Sequence, residues 1–375
     1  MRILFVIHYC SPDINDNSFG PIYLGSVGHQ VLVISSRHAN SLKGDVYSEE
    51  NEVVGGCTFY RPYQEWTDIT RNPGKEWPKV KAALDDFNPE VVIGFGEFNY
   101  KLSLAIRKRY QIPYFLFMEY LRLEKIAAPI RGRTLLKRYI PFAHDLSSRF
   151  FLKYLAKKVT AVMFSYFGDQ DQIQKLKEIG LNAYYVPWCT DVGGEDVIVE
   201  RRPKVGLYIG ALEKFKNSED LIKVIPYILE QTETEKFIVV GPGPFSADIK
   251  ELQSKYGERL EYIESMPRQE ALKLIRSVAY GFTPVSDCGL GFLGDCWGCG
   301  TPLITTHELD GFINKGKDAS VANNIEDVPL LVKNLLDSPE VWKAYHSAGL
   351  KRYELNYTAK AVGDKYLEVM KKYMN

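Results

Sequence analysis

Apolar runs of strand length alternate with stretches of helical periodicity along almost the whole chain. "RILFVIHY" (2–9), "QVLVISS" (30–36), "EVVIGFG" (90–96), "PYFLFMEY" (113–120) and "VTAVMFS" (159–165) are apolar enough to be parallel strands buried on both faces. Between them, "WPKVKAALDDF" (77–87), "YKLSLAIRKRY" (100–110) and "GDQDQIQKLKEIG" (168–180) repeat at helical spacing, the last closed by a glycine. A second series of strands begins after residue 200: "KVGLYIGA" (204–211), "KFIVVGPG" (236–243), "LEYIES" (260–265), "AYGFTPV" (279–285) and "TPLITT" (301–306). Helical stretches at 218–231, 244–257 and 268–277 separate them.

Alternation of this kind gives right-handed crossovers and parallel sheets. The periodicity lapses at "CTDVGGEDVIVERRP" (189–203), and 375 residues suit two cores better than one. The expected fold class is therefore α/β, with two Rossmann-like doubly wound domains facing across a cleft. Open sheets of this type bind ligands beyond the carboxyl ends of their strands.

Charge narrows the partners. Lys+Arg and Asp+Glu both total 47, so no global field favours a nucleic acid. Six scattered cysteines fit a reduced, cytoplasmic protein better than a disulfide scaffold. "MRILFVIHYC" followed by "SPDIND" reads as a leading strand, with no cleavage site for a signal peptide. No run approaches the ~18 apolar residues of a membrane span.

Three glycine-bearing turns in the second half follow strands and open helices: "GALEKFKNSED" (210–220), "GPGP" (241–244) and "DCGLGFLGD" (287–295). Backbone N–H groups at a helix start form an anion site, and glycine lets a phosphate come close. With Lys216 in the first turn, the set suggests a diphosphate; the competing account is three ordinary βα turns. Asp287 at a strand-to-helix turn and Asp295 on the first turns of the next helix could both accept from a polyhydroxylated ligand. A helix-capping acid and a solvated one is the competing account there. Cys296 and Cys299 form a C-x-x-C with Cys288 nearby, but a structural zinc wants four spaced ligands and His307 is the only histidine close in sequence. A redox pair belongs at a helix N-terminus in another context.

The run from Asp287 to Pro302, D-C-G-L-G-F-L-G-D-C-W-G-C-G-T-P, resembles the E-G-F-G-L-x-x-L-E-A-M-A-C-G-x-P motif of retaining glycosyltransferase family 4, of GT-B architecture. "GALEKFKN" resembles the family's G-R-x-x-x-x-K-(G/N) turn, "VVGPGP" its V-G-x-G-P, "VGHQV" (27–31) its G-H-E-V, and "FNPEVVIGFG" (87–96) its P-D-V-V-H-x-H-G strand. The likeness runs over nearly the whole chain in order. It implies domains at 1–195 (acceptor side) and 200–358 (nucleotide-sugar side), with a last helix at about 360–375 packing back on the first.

The resemblance further implies a transferase that moves a hexose-type sugar from a nucleotide diphosphate donor to a glycan or lipid-linked saccharide, with retention. Lys216 would neutralise the diphosphate, and Asp287 would hold hydroxyls of the donor sugar. Asp295 would bind the ribose. Gly210, Gly243, Cys288, Gly289, Leu290 and Gly291 would complete the donor site, with N–H groups around Gly289 to Gly291 on the diphosphate. The nucleotide-sugar is a co-substrate, and neither a cofactor nor a metal is expected. Base recognition is expected around Ser265 to Arg268.

Four positions depart from the family pattern. Ala211 stands in place of its arginine, both glutamates are aspartates, and its histidine falls on Glu119, assigned here to sugar or acceptor contact. These departures support an alternative, a catalytically inactive GT-B protein serving as a binding or regulatory subunit. A phosphorylase would need a pyridoxal-bearing lysine, which nothing in the sequence marks. Residues 122–158 hold ten Lys/Arg and two acids interleaved with aromatics. Such a segment suits docking on an anionic membrane surface at its inner face; a solvated helix face and recognition of an anionic glycan are the other readings.

Overall fold

In the computed structural model the chain divides into two units, Met1–Pro187 with Val362–Asn375, and Trp188–Ala361. The structure describes residues 1–10, 19–41, 44–96, 99–118, 153–154, 156–165, 170–193, 203–284, 290–307, 313 and 315–374.

The first unit is built on β1 (Arg2–Tyr9), β2 (Gln30–Ser41), β3 (Gly44–Tyr47), β4 (Asn51–Val54), β5 (Cys57–Glu65), β6 (Val91–Phe95), β7 (Tyr114–Met118), β8 (Ala161–Phe164) and β9 (Ala183–Tyr185). Its sheet has the order β4-β5-β2-β1-β6-β7-β8-β9, with β3 pairing β2. The central pairs are parallel, with Leu4 opposite Leu32 on one side and Val92 on the other. Strands β6 to β8 are buried at every position, as sheets covered on both faces require. The covering helices are α1 (Phe19–Ser26), α2 (Trp66–Arg71), α3 (Trp77–Phe87), α4 (Tyr100–Tyr110) and α5 (Gln170–Glu178). Two of them stop at left-handed residues, Asn88 (φ 48°) and Gln111 (φ 54°).

The second unit has β10 (Val205–Ile209), β11 (Lys236–Val240), β12 (Leu260–Ile263), β13 (Tyr280–Thr283), β14 (Leu303–Thr305) and β15 (Ser320–Val321). The intervening helices are α6 (Ser218–Gln231), α7 (Ser246–Tyr256), α8 (Arg268–Ser277) and α9 (Leu290–Gly298), followed by α10 (Val328–Asp337) and α11 (Pro339–Asn356); α12 (Ala359–Lys371) belongs from Val362 on to the first unit. Sheet order is β12-β11-β10-β13-β14-β15, all parallel. The chain runs outward one way from β10, then returns to β10's other side as β13. That reversal is the switch point at which an open sheet leaves a crevice at its carboxyl edge.

The chain enters the second unit at Trp188, ahead of the glycine-rich stretch, because side chains of that unit hold residues 190–192. Tyr353 donates to the Thr190 carbonyl (2.9 Å), and Arg276 to that of Val192. It returns within α12, whose Tyr366 lies edge-on to Phe5 with centroids 5.9 Å apart and 6.0 Å from Phe117. A Cβ on Gly363 would come within 2.3 Å of the Tyr23 ring, so glycine lets α12 lie close to α1. Among the described residues, no helix is long and apolar enough to cross a membrane.

Candidate functional site

The crevice of the second unit is built from loops joined backbone to backbone. Leaving β10, the Gly210 N–H donates to Val240 (2.9 Å) and the Leu212 N–H to Pro242 (2.8 Å). A Cβ on Gly241 (φ 143°) would lie 1.9 Å from the Gly210 carbonyl oxygen, and one on Gly243 (φ 154°) 2.3 Å from that of Leu212. Only glycine permits this approach. Close contact between the first two glycine turns is thus what these glycines make possible.

After Leu212 the chain forms a single 3-10 turn, Lys214–Lys216, and then Asn217 in the left-handed region (φ 53°). Ser218 at the start of α6 is buried and donates its hydroxyl to the Glu213 carbonyl (3.0 Å), which closes the turn. The Asn217 side-chain amide donates to the Pro284 carbonyl at 2.8 Å and lies 3.2 Å from His307 Nε2. One side chain therefore ties the loop after β10 to the ends of β13 and β14. Lys216 precedes it, its Nζ 5.2 Å from the ring centroid of the exposed Phe215. The lysine is thus next in the chain to the residue that ties the end of β10 to that of β13.

α9 begins at Leu290 beside that crevice, and the first N–H groups of any α-helix lack intrahelical partners. Among the described residues, none has an atom within 4 Å of where a Cβ on Gly291 would lie, so none of them covers this first turn. The rest of the helix is fixed in the core. Trp297 donates its indole N–H to Asp318 (2.9 Å) and stacks on Tyr357 with centroids 5.6 Å apart. Cys296 and Cys299 are fully buried, with the Cys299 thiol 3.9 Å from the Leu272 carbonyl. Packing accounts for both.

Asp295, 8% exposed on α9, has both oxygens engaged within this unit. Arg268 donates Nη2 to Oδ1 (2.9 Å) and Nη1 to Oδ2 (3.2 Å), while Thr190 donates its hydroxyl to Oδ1 (2.7 Å). The same Nη2 reaches Thr190 Oγ1 (2.9 Å) and the Asp191 carbonyl (2.8 Å). The carboxylate thus joins α9 to the start of α8 and to the entering chain. Tyr353, whose hydroxyl burial pushes above its ordinary value, stays protonated as the donor to Thr190.

Of the residues singled out from the sequence, Gly210, Lys216, Gly243, Gly291 and Asp295 belong to this unit, at or near the carboxyl edge of its sheet. Asp287, Cys288, Gly289 and Glu119, with the side chain of Leu290 and the segment 122–152, lie outside the described residues. Sequence reasoning missed Asn217 and the Arg268–Asp295 pair. A signal for the first was present: a position that takes glycine or asparagine is one that needs positive φ.

No protein-family model matches the sequence, and no curated protein matches it significantly. Solved structures do. The chain is similar to a sucrose-phosphate synthase from Thermosynechococcus elongatus (TM-score 0.73, 12% identity, 99% of this chain and 98% of that one). It is similar to trehalose-6-phosphate synthase OtsA (0.70, 12%, 99% of each). It is also similar to HepE of Anabaena in complex with UDP and glucose (0.65, 11%, 99% of each). At such identities the likeness is one of fold. Two Rossmann-like units in one chain, matched nearly end to end by these enzymes, make this a protein of the GT-B fold.

Proposed function

We propose that the chain is a glycosyltransferase that moves a sugar from a nucleotide diphosphate donor to a hydroxyl of a glycan or lipid-linked saccharide. The observation that carries this reading is the switch point between β10 and β13, with Lys216 on the loop that Asn217 ties to the end of β13 and α9 following β13. That is an anion site at a switch point, where a departing diphosphate is stabilised by fixed charge and N–H dipoles. HepE, of the same fold, has been solved with UDP-glucose bound, which favours a UDP-sugar donor.

In this reading Lys216 neutralises the diphosphate as the bond from the sugar's anomeric carbon to phosphate breaks. The acceptor hydroxyl oxygen bonds to the same face and its proton passes to the departing diphosphate oxygen, so configuration is retained, as in family 4. Asp287 holds sugar hydroxyls and Glu119 contacts sugar or acceptor. N–H groups from Cys288 to Gly291 complete the diphosphate site without a metal, and Gly210 and Gly243 shape its floor. Asp295 accepts from the ribose through the lone-pair capacity that Arg268 and Thr190 leave on Oδ2. The basic segment 122–158 places the enzyme at an anionic inner membrane face, where a lipid-linked acceptor resides.

One observation favours a second reading, a catalytically silent binding subunit. The Asp295 carboxylate is already committed to Arg268 and Thr190, and Ala211 supplies no cation to the first turn. Thermal unfolding against UDP, GDP, ADP, TDP and CMP tests the main reading. Ligand at ~100 times its dissociation constant adds about 2.7 kcal/mol to the folded state. A shift with one diphosphate, reduced in Lys216→Ala, together with slow donor hydrolysis, is expected of the transferase. A shift without hydrolysis selects a silent subunit that still binds nucleotide, and no shift with any nucleotide removes the transferase reading and leaves the silent subunit.

A further inference from the structure

The first unit carries a second polar hollow, at the edge of its sheet where β7 and β8 begin, opposite the strands' carboxyl ends. It encloses about 740 Å³ and takes Arg107 and Lys108 from the last turn of α4, and Lys157 and Lys158 from the segment ahead of β8. No acid is among the described residues that line it. Arg109 finds an acid outside it, Asp85, at 3.5 Å. Arg107, Lys108 and Lys157 have no ion pair among the described residues, and Lys158 Nζ lies 6.0 Å from the Tyr154 ring centroid.

Basic residues in a helix's last turn complement its dipole, which accounts for Arg107 and Lys108 taken alone. It does not account for two lysines brought to the same hollow by a different segment, against the repulsion of like charges. Neutral groups complete the lining. Thr160 Oγ1 accepts from the Tyr114 N–H (3.0 Å) and keeps its own proton to donate. Tyr154 (49% exposed) and Tyr373 add aromatic surface.

We propose that this hollow binds a phosphate-bearing ligand. The Arg107 guanidinium offers a planar fork to phosphate oxygens, and the three ammonium groups add mobile point charges. The volume is in the range of small-molecule sites and exceeds what a bare phosphate fills, so the tyrosines face the portion beyond the phosphate. The proposal does not need the donor crevice of the other unit, while its lipid outcome shares Lys157 and Lys158 with the basic segment that the proposed function sets against a membrane.

Two probes test it on the full chain: inorganic pyrophosphate in titration calorimetry, and sedimentation with phosphatidylcholine vesicles with or without phosphatidylglycerol. Both are run on wild type, Arg107→Ala, Lys157→Ala and Lys216→Ala, the last silencing the crevice of the other unit. Pyrophosphate binding that survives Lys216→Ala and weakens roughly fivefold with each groove substitution identifies a soluble ligand. Retention by phosphatidylglycerol vesicles alone, with the same loss, identifies a lipid headgroup. The conservative Arg107→Lys and Lys157→Arg should restore binding, and every variant should keep the wild-type unfolding midpoint. Binding of neither probe, or binding that both groove substitutions leave unchanged, overturns the proposal.

Discussion

Removing the Asp295 carboxylate takes its two-pronged acceptor from the Arg268 guanidinium, which keeps Thr190 and a backbone carbonyl. Lost charge-assisted hydrogen bonds of this kind cost about 1–3 kcal/mol, toward the lower end here because Arg268 is part-exposed. Asp295→Ala should lower stability by that amount in urea unfolding with or without nucleotide, so its effect on nucleotide affinity must be read separately by calorimetry. Spacing along the sequence singled out Asp295 but could not give its partners, because Arg268 and Thr190 lie 27 and 105 residues away. The glycines of the "GPGP" turn were legible as a turn; their reason, contact with the loop after β10, was not. His8 makes a pH prediction. Burial holds its imidazole below the ordinary 6.5, hence neutral in the fold. The unfolded chain binds the extra proton first, so this contribution to stability is present above about pH 6.5 and is lost as pH falls below it. His29 is lowered too; the test is therefore the flatter pH dependence of His8→Gln in denaturant unfolding relative to wild type.

At the scale of elements, periodicity located α3, α4, α6 and α8 at the residues where they occur, and it found the apolar strands. It passed over β5, where "CTFYRPYQE" holds a proline and a buried arginine. Arg61 is satisfied inside the sheet by Glu52 (2.7 Å) and by the carbonyls of Cys10 and Glu49. A cation buried by distant partners breaks the apolar signal of its strand. α11 escaped for a related reason: its buried positions are Trp342, His346 and Gly349, not an aliphatic stripe. Between elements, Asn217 is the join that local patterning cannot see. Asn217→Ala removes its bonds to Pro284 and His307 and puts a Cβ residue without side-chain compensation at φ 53°. A stability loss of roughly 1–3 kcal/mol is expected. Calorimetry should also show weaker nucleotide affinity, since the loops of the crevice lose their tie. Asn217→Gly should recover the backbone part of the stability and not the affinity.

For the whole molecule, the last helix decides how the first unit stands. Tyr366, Val369 and Met370 of α12 are buried, and Tyr366 reaches Phe5 and Phe117 of the central strands. Each such side chain contributes roughly 1.5–3 kcal/mol by burial. Ending the chain at Ala361 should therefore destabilise the first unit strongly while the second, Trp188–Ala361, keeps its own core. A thermal scan of the truncated chain should show two separated transitions, and a nucleoside diphosphate should move only the later one. The overall architecture was legible because strand and helix alternate with clear periods, and period is a local property. The identity of the polar ties was not, since each joins segments far apart in sequence.

A chain that leaves its first unit at Pro187 and re-enters it at Val362 has a consequence for its birth. Domains generally fold as units in the order the ribosome delivers them. Here β1 is made before the second unit and Tyr366 after it, so Phe5 meets this partner only once the whole second unit has been translated. The unit that starts second can finish first, and until then the nascent first unit keeps aromatic surface open for a chaperone to cover.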